Sequence, residues 1–433
     1  MDDAQPSRVN SAPGTRREVF AWALYDWASS AYSTLSITIL VSYLQADVFP
    51  GKTGVIVWGW GLGGTMLIAA VLSPILGAIA DAHATKRKWL ALTSLTGSVA
   101  SFLMYFVPPE ERWLVLALFL IASLGFELSL GFYNGFLPEI ADDRSMGRVS
   151  AWGYALGYVG GGLALLMVIL MFGKDTTAEQ AREIKRVGLA VMGLWWGLFT
   201  IPSLLILKDR KARSREPEPF LHAARRAFGE VGNTIRNVRS YRILAIFLVS
   251  FLLYNEGVQT MISQSSVFAM QVLAMGAGEL AQVVLMIQFI ALPGSLAIGH
   301  LAEKLGQKPV LIGCILLWIL LLIIAFFVTE KWQFWMMAAA AAIVLGGTQS
   351  VSRAIMGLMT PAEKSAEFFG FFNLSGKAVS VFGPVVFSTI LAATESPHLA
   401  ILSLLVFFVV GLVILLPVNV AKGQAQARGA GET

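Results

Sequence analysis

The chain has 433 residues, 56% of them hydrophobic and only 14% charged, with a formal net charge of +5. A soluble domain carries about 25% charged residues, so this composition excludes one and points to a helical protein that crosses the membrane many times. The excess of bases belongs to membrane-flanking loops, and no nucleic-acid partner is expected.

Residues 1–18 lack an apolar core, so no cleavable signal is expected and the first span itself should direct insertion. Twelve spans follow, at 19–44, 55–80, 89–107, 112–137, 149–172, 187–207, 242–268, 279–299, 309–329, 333–358, 366–393 and 397–417. Each is close to the roughly 20 residues that cross about 30 Å of hydrocarbon. They form two six-helix bundles, 19–207 and 242–417, joined by a linker at 208–241 and followed by a tail at 418–433.

Orientation follows from the bases. Arg8, Arg16, Arg17, Lys86, Arg87, Lys88, Arg144, Arg148, Lys304, Lys308, Lys364, Lys422 and Arg428 fall on one side, with those of the linker. Lys52, Arg112, Lys174, Arg182, Lys185, Arg186 and Lys331 fall on the other. The asymmetry puts both termini in the cytoplasm and the protein in the cytoplasmic membrane. The loop 173–186 runs against the trend, its bases interleaved with Asp175, Glu179 and Glu183. In the linker, Leu221, Ala224, Phe228, Val231, Ile235 and Val238 recur at helical spacing between Arg225, Arg226, Arg236 and Arg239, which predicts an amphipathic helix on the membrane surface.

Five ionisable residues lie well inside spans: Asp26, Glu127, Glu256, Arg353 and Lys377. Each costs at least about 2.5 kcal/mol to insert and so should face a bundle interior or a wet cavity. The first four fall on spans one, four, seven and ten. Two readings stand side by side. The charges pair as structural salt bridges, or the acids carry coupling protons or hold a coupling cation while the bases meet an anionic group. Tyr25, Trp27, Tyr133, Asn134, Tyr254, Asn255, Gln349 and Asn373 complete the polar set expected around a bound solute.

The halves echo each other. Tyr25-Asp26 in span one answers Tyr254-Asn255-Glu256 in span seven. Gly77 and Asp81 before Arg87 and Lys88 answer Gly299 and Glu303 before Gly306 and Lys308. Such repeats indicate a duplicated architecture with its site between the halves. Span five carries a small-residue face, Gly153, Gly157 and Gly161, suited to close helix packing.

The loop after span two resembles the signature loop of the major facilitator superfamily, GxxxDxxGRR, with Thr85 where its second glycine is expected. WALYDWASSAY at 22–32, FYNGFLPEIADDRSMGRVSAWGYALGYVGGG at 132–162 and GGTQSVSRAIMGLMTPAEKSAEFFGFFNLSGKAVSVFGP at 346–384 resemble the vacuole-effluxer-like family within it. The resemblance implies an all-α fold of twelve transmembrane helices in two pseudo-symmetric bundles. It also implies a secondary active carrier working by alternating access, with amino acids or similar zwitterions as solute and efflux as direction. The tyrosine–aspartate start of span one is also similar to cation-coupled sugar symporters, which keeps sugars open. A channel and a non-transporting receptor or scaffold are the other classes.

No GxxxxGK[ST] loop is present, which excludes ATP hydrolysis through that motif. His83, His222, His300 and His398 are scattered, so no metal site is expected, and no cofactor or enzymatic activity. The single cysteine, Cys314, lies in an apolar run and rules out a disulfide framework. The expected partners are a small-molecule solute and the lipid bilayer, with the protein a monomer.

Overall fold

The computed structural model describes residues 14–173, 175–210, 220–236, 238–377 and 382–429, and every regular element among them is helical. The first half holds α1 (Arg16–Leu35), α2 (Lys52–His83), α3 (Lys86–Leu103), α4 (Arg112–Gly135), α5 (Met146–Ile169) and α6 (Ala178–Ile206). The linker holds α7 (Phe220–Arg236). The second half holds α8 (Arg242–Leu273), α9 (Ala277–Leu305), α10 (Gln307–Ala325), α11 (Lys331–Met359), α12 (Ser365–Lys377), α13 (Phe382–Thr394), α14 (Pro397–Leu402) and α15 (Leu405–Leu415), and α16 (Val420–Gly429) ends it.

Ten helices among the described residues are long and apolar enough to cross a membrane, where twelve spans are expected. The difference has two physical causes. The span at 19–44 is α1, whose Asp26, serines and threonines hold its hydropathy down. Its helical path continues past Leu35 through π-helical turns at Ser36–Leu40 and Leu44–Val48. Ser33 and Ser36 donate to the carbonyls three residues back, and Thr38 to the carbonyl four back, drawing the backbone off the regular α ladder. The span at 366–393 is represented by α12 and α13, either side of residues 378–381, which lie outside the described set.

Glycines decide how closely the helices approach. A Cβ on Gly157, Gly160 or Gly161 would sit 2.7 Å or less from Ser30, Trp27 or Thr34 of α1, so the small-residue face of α5 is the seat of α1. Between the halves, α2 packs on α12 and α5 packs on α9. Both contacts are equally tight: a Cβ on Gly77 would lie 2.5 Å from the Ala366 backbone, and one on Gly299 would lie 2.4 Å from Ala151 Cβ.

The contrary loop before α6 is neutralised locally. Arg182 and Lys185 both pair with Asp47, and Arg186 pairs with Glu183, so its bases carry little uncompensated charge. The linker helix α7 does not rest on lipid alone. Ala223 and Ala227 pack against Ile75, Ala78 and Ile79 of α2, while Phe228 is 57% exposed. The buried stripe is therefore the small alanine face, one position away from the large apolar residues that marked the helix in the sequence.

Candidate functional site: a cavity above an inter-bundle charge network

The N-terminal ends of α1, α3, α5 and α12 and the C-terminal ends of α2 and α9 share one face, the terminal face, where Gly14 meets Ile140, Lys86 meets Ser365 and Gly299 meets Ala151. A cavity of about 420 Å³ occupies the opposite half of the molecule, between the bundles. From the first half it is lined by Tyr32, Ser33, Ser36, Trp58, Ser123 and Glu127, and from the second by Gln259, Gln288 and Gln349. Gln288 donates to Thr34 at 2.7 Å, and Gln349 accepts from Tyr158 at 2.6 Å, so polar groups of the two halves already meet across its walls.

Below this cavity the bundles are joined by Asp26 and Arg353. Arg353 Nη1 lies 2.9 Å from Asp26 Oδ2, and both residues are buried, 327 positions apart in the chain. Tyr133 donates its hydroxyl to the same carboxylate oxygen at 2.8 Å. The guanidinium uses its other donors on Asn134 Oδ1 (3.3 Å), Ser150 Oγ (3.0 Å) and the Ser150 carbonyl (2.7 Å). Aromatic faces enclose it: Tyr154 at 4.0 Å, Trp22 at 4.7 Å and Tyr133 at 5.7 Å from their ring centroids. Trp22 is held in turn by stacking on Tyr133 and by donating to its carbonyl at 2.9 Å. Arginine suits this place because its fork serves several acceptors at once while its flat face stacks. A Cβ on Gly153 would lie 2.4 Å from Asp26 Oδ2, so only glycine lets α5 pass the ion pair.

Nearer the terminal face, a second charged contact crosses the bundles. Lys86, the first residue of α3, pairs with Glu139 and lies 3.5 Å from Asp81. It also donates to Ser365 Oγ at 2.8 Å. Asp81 accepts the Glu367 backbone N–H at 3.0 Å, so an acid of the first half caps the first turn of α12 in the second. Glu367 in turn accepts from Thr234 of α7 at 2.7 Å. Just outside the spans, burial pushes the Asp209 carboxyl above its ordinary range, against the opposing pull of the Arg87 backbone N–H.

The expected site residues thus separate. Asp26, Tyr133, Asn134 and Arg353 meet directly, with the Tyr25 ring tilted against Tyr133, centroids 4.7 Å apart. Glu127 and Gln349 line the cavity instead. Trp27 stacks on Trp195 of α6, away from the ion pair. Glu256 does not mirror Asp26: it accepts the Gly383 N–H at 2.7 Å and stays within the second bundle. Asn255 donates to the Gly376 carbonyl at 3.0 Å, Tyr254 meets the Ser352 hydroxyl at 2.7 Å, and Asn373 faces Gly131. The Lys377 side chain lies outside the described set.

In the loop motifs, Gly77 and Asp81 make the buried contact, but Arg87 and Lys88 are exposed and the base is Lys86. In the second half, Glu303 meets Arg148 at 3.5 Å, Gly306 takes a positive φ of 91°, and Lys308 donates to the Leu416 carbonyl at 2.6 Å. Sequence reasoning passed over Ser150, Tyr154, Lys86, Glu139, Ser365 and Glu367. Of these only Lys86 carried a usable signal, as the base closest to Asp81 and the first residue of its helix, where a lone cation opposes the dipole.

A model of the family described as "Vacuole effluxer Atg22 like" matches residues 63–428. The chain belongs to that family. Relatives of the Atg22-like family agree. An MFS-type transporter of Bacillus subtilis (strain 168), YxiO, is 32% identical over 404 residues, covering 91% of this chain and 93% of that one. Autophagy-related protein 22-1 of Penicillium rubens is 22% identical over 456 residues, covering 84% and 76%. Among solved structures, the human organic anion transporter MFSD10 superposes with a TM-score of 0.73 at 13% identity, over 93% of this chain and 100% of that one. The fold of this Atg22-like chain is therefore that of the major facilitator superfamily, and the protein is an integral membrane transporter, not an enzyme. The match begins at residue 63, so the Trp22–Tyr32 stretch that resembles the family lies outside it.

Proposed function

We propose that the protein is a secondary active carrier of the cytoplasmic membrane, with both termini inside, that moves a small zwitterion such as an amino acid by alternating access. The supporting observation is the placement of the cavity. It lies between the halves, while Asp26–Arg353, Lys86–Ser365 and Asp81–Glu367 join the halves below it. That is the geometry of a carrier closed toward the termini, and rocking would exchange the open and closed sides. Efflux fits the effluxer family. A proton or cation is the proposed coupling partner, and the monomer is the proposed working unit.

Glu127 with Tyr32 and Trp58 offers a carboxylate and aromatic faces to an ammonium group. Sugars form the second reading, favoured by the amides of Gln259, Gln288 and Gln349 beside Trp58. A likeness of fold to the proton:xylose symporter XylE accompanies it (TM-score 0.72, 11% identity, 92% of this chain and 94% of that one).

The test is thermal unfolding of the purified full-length protein against amino acids, betaines and sugars, followed by counterflow in proteoliposomes with whatever stabilises it. Stabilisation and counterflow by amino acids support the first reading, and by sugars alone the second. A solute that stabilises without counterflow would make the protein a receptor. Flux that does not saturate would make it a channel. If Asp26→Asn and Glu256→Gln leave flux and its pH dependence unchanged, neither acid couples transport.

A further inference from the structure

The contact at the terminal face buries more acid than base. Asp81 (5% exposed), Glu139 (8%) and Glu367 (1%) share it with one equally buried cation, Lys86 (1%). Asp81 has the best-compensated charge, from Lys86, Ser365 and the first turn of α12. Glu139 has Lys86 on Oε1, yet its Oε2 is buried with no hydrogen-bond partner. Among the described residues Glu367 accepts the neutral Thr234 hydroxyl, and the charges acting on it are Lys364, which favours the carboxylate, and Asp81 on α2 and Glu230 on α7, which oppose it. Three carboxylates around one ammonium would leave excess negative charge in a dry contact, which burial and like-charge repulsion both oppose. A proton relieves that excess at the least geometric cost. The described residues offer no cluster that would hold a metal ion instead.

We propose that this contact is a proton-binding site, with Glu367 the residue that holds the proton while the terminal side is closed. The proposal rests on the alternating-access reading. When the bundles part there, water reaches the carboxyl, its O–H bond breaks, and the proton leaves to water on the terminal side as the carboxylate is solvated. Closing takes the proton up again. Opening is therefore linked to proton release at this contact, separately from anything bound in the cavity; the proton leaves to and returns from water on the terminal side, so the site makes opening depend on the pH of that side without moving a proton across the membrane.

The experiment is a pulsed electron–electron distance measurement on full-length protein in lipid nanodiscs. Spin labels go on Arg144→Cys and Lys304→Cys, both exposed and on opposite halves, in a Cys314→Ser background. Between about pH 5 and pH 9, where a perturbed carboxyl titrates, the long-distance population should grow as pH rises. Glu367→Gln, which mimics the protonated carboxyl, should keep the short distance and flatten the profile. Glu367→Asp should restore titration. Lys364→Gln removes the base that acts on Glu367, tightens proton binding and should move the midpoint up, whereas a merely structural base would shift the populations equally at every pH. Two distances whose pH profile is the same in Glu367→Gln and in the parent overturn the proton site and leave the carrier reading standing. One unchanging distance at every pH overturns the site and counts against alternating access as well.

Discussion

The two inter-bundle contacts of the terminal face share a backbone and differ in chemistry. At α2–α12 and at α5–α9 a glycine lets the helices touch, Gly77 on Ala366 and Gly299 on Ala151, with the same lack of room for a Cβ. Around the first, Asp81, Lys86, Glu139 and Glu367 are buried. Around the second, Arg148 is 59% exposed and its Glu303 partner 17%, with His300 3.7 Å from the same carboxylate. Duplication preserved the close approach, which is steric and tolerates nothing larger. It did not preserve the electrostatics: losing a solvated pair costs little, whereas removing one member of a buried cluster leaves its partners uncompensated. The two contacts should therefore respond differently to the loss of a base.

The comparison is sharpest for the bases. Lys86→Met leaves Asp81 and Glu139 buried without their cation and should cost about 3–5 kcal/mol. Thermal unfolding in detergent, followed by reaction of a thiol dye with the buried single cysteine Cys314, measures it directly. A loss no larger than that of Arg148→Met would break the proposed asymmetry. Next, Gly77→Ala and Gly299→Ala should each destabilise by about 1–3 kcal/mol, and by similar amounts, since both force apart contacts without space. Unequal losses in the same assay would mean that the steric symmetry is only apparent.

A smaller effect concerns the loops. Ala84 ends α2 with φ 49°, where Gly306 ends α9 with φ 91°. Ala84→Gly should stabilise by up to about 1 kcal/mol, and Gly306→Ala should destabilise by at least as much. The same melts check both signs. Smallest of all, Arg148→Met should cost less than about 1 kcal/mol, and raising salt should erase that cost while leaving the Lys86→Met loss in place.

Much of the architecture was legible in the chain alone. Span lengths, the split into halves, the glycine face of α5 and the Gly77/Gly299 echo all follow from hydropathy and small-residue spacing. Those are local properties, set by a residue's own partition between lipid and water or by the room its side chain takes. That Asp26 and Arg353 avoid lipid was equally legible, because the cost of immersing a charge is the same in any fold. Which charge meets which was not. Asp26 finds Arg353 from the far end of the chain, Glu256 turns to the Gly383 amide, and Lys86 displaces Arg87 and Lys88, because pairing depends on helix rotation and bundle docking. A one-residue shift on a helix turns a side chain by about 100°, which is enough to move it from the contact into solvent.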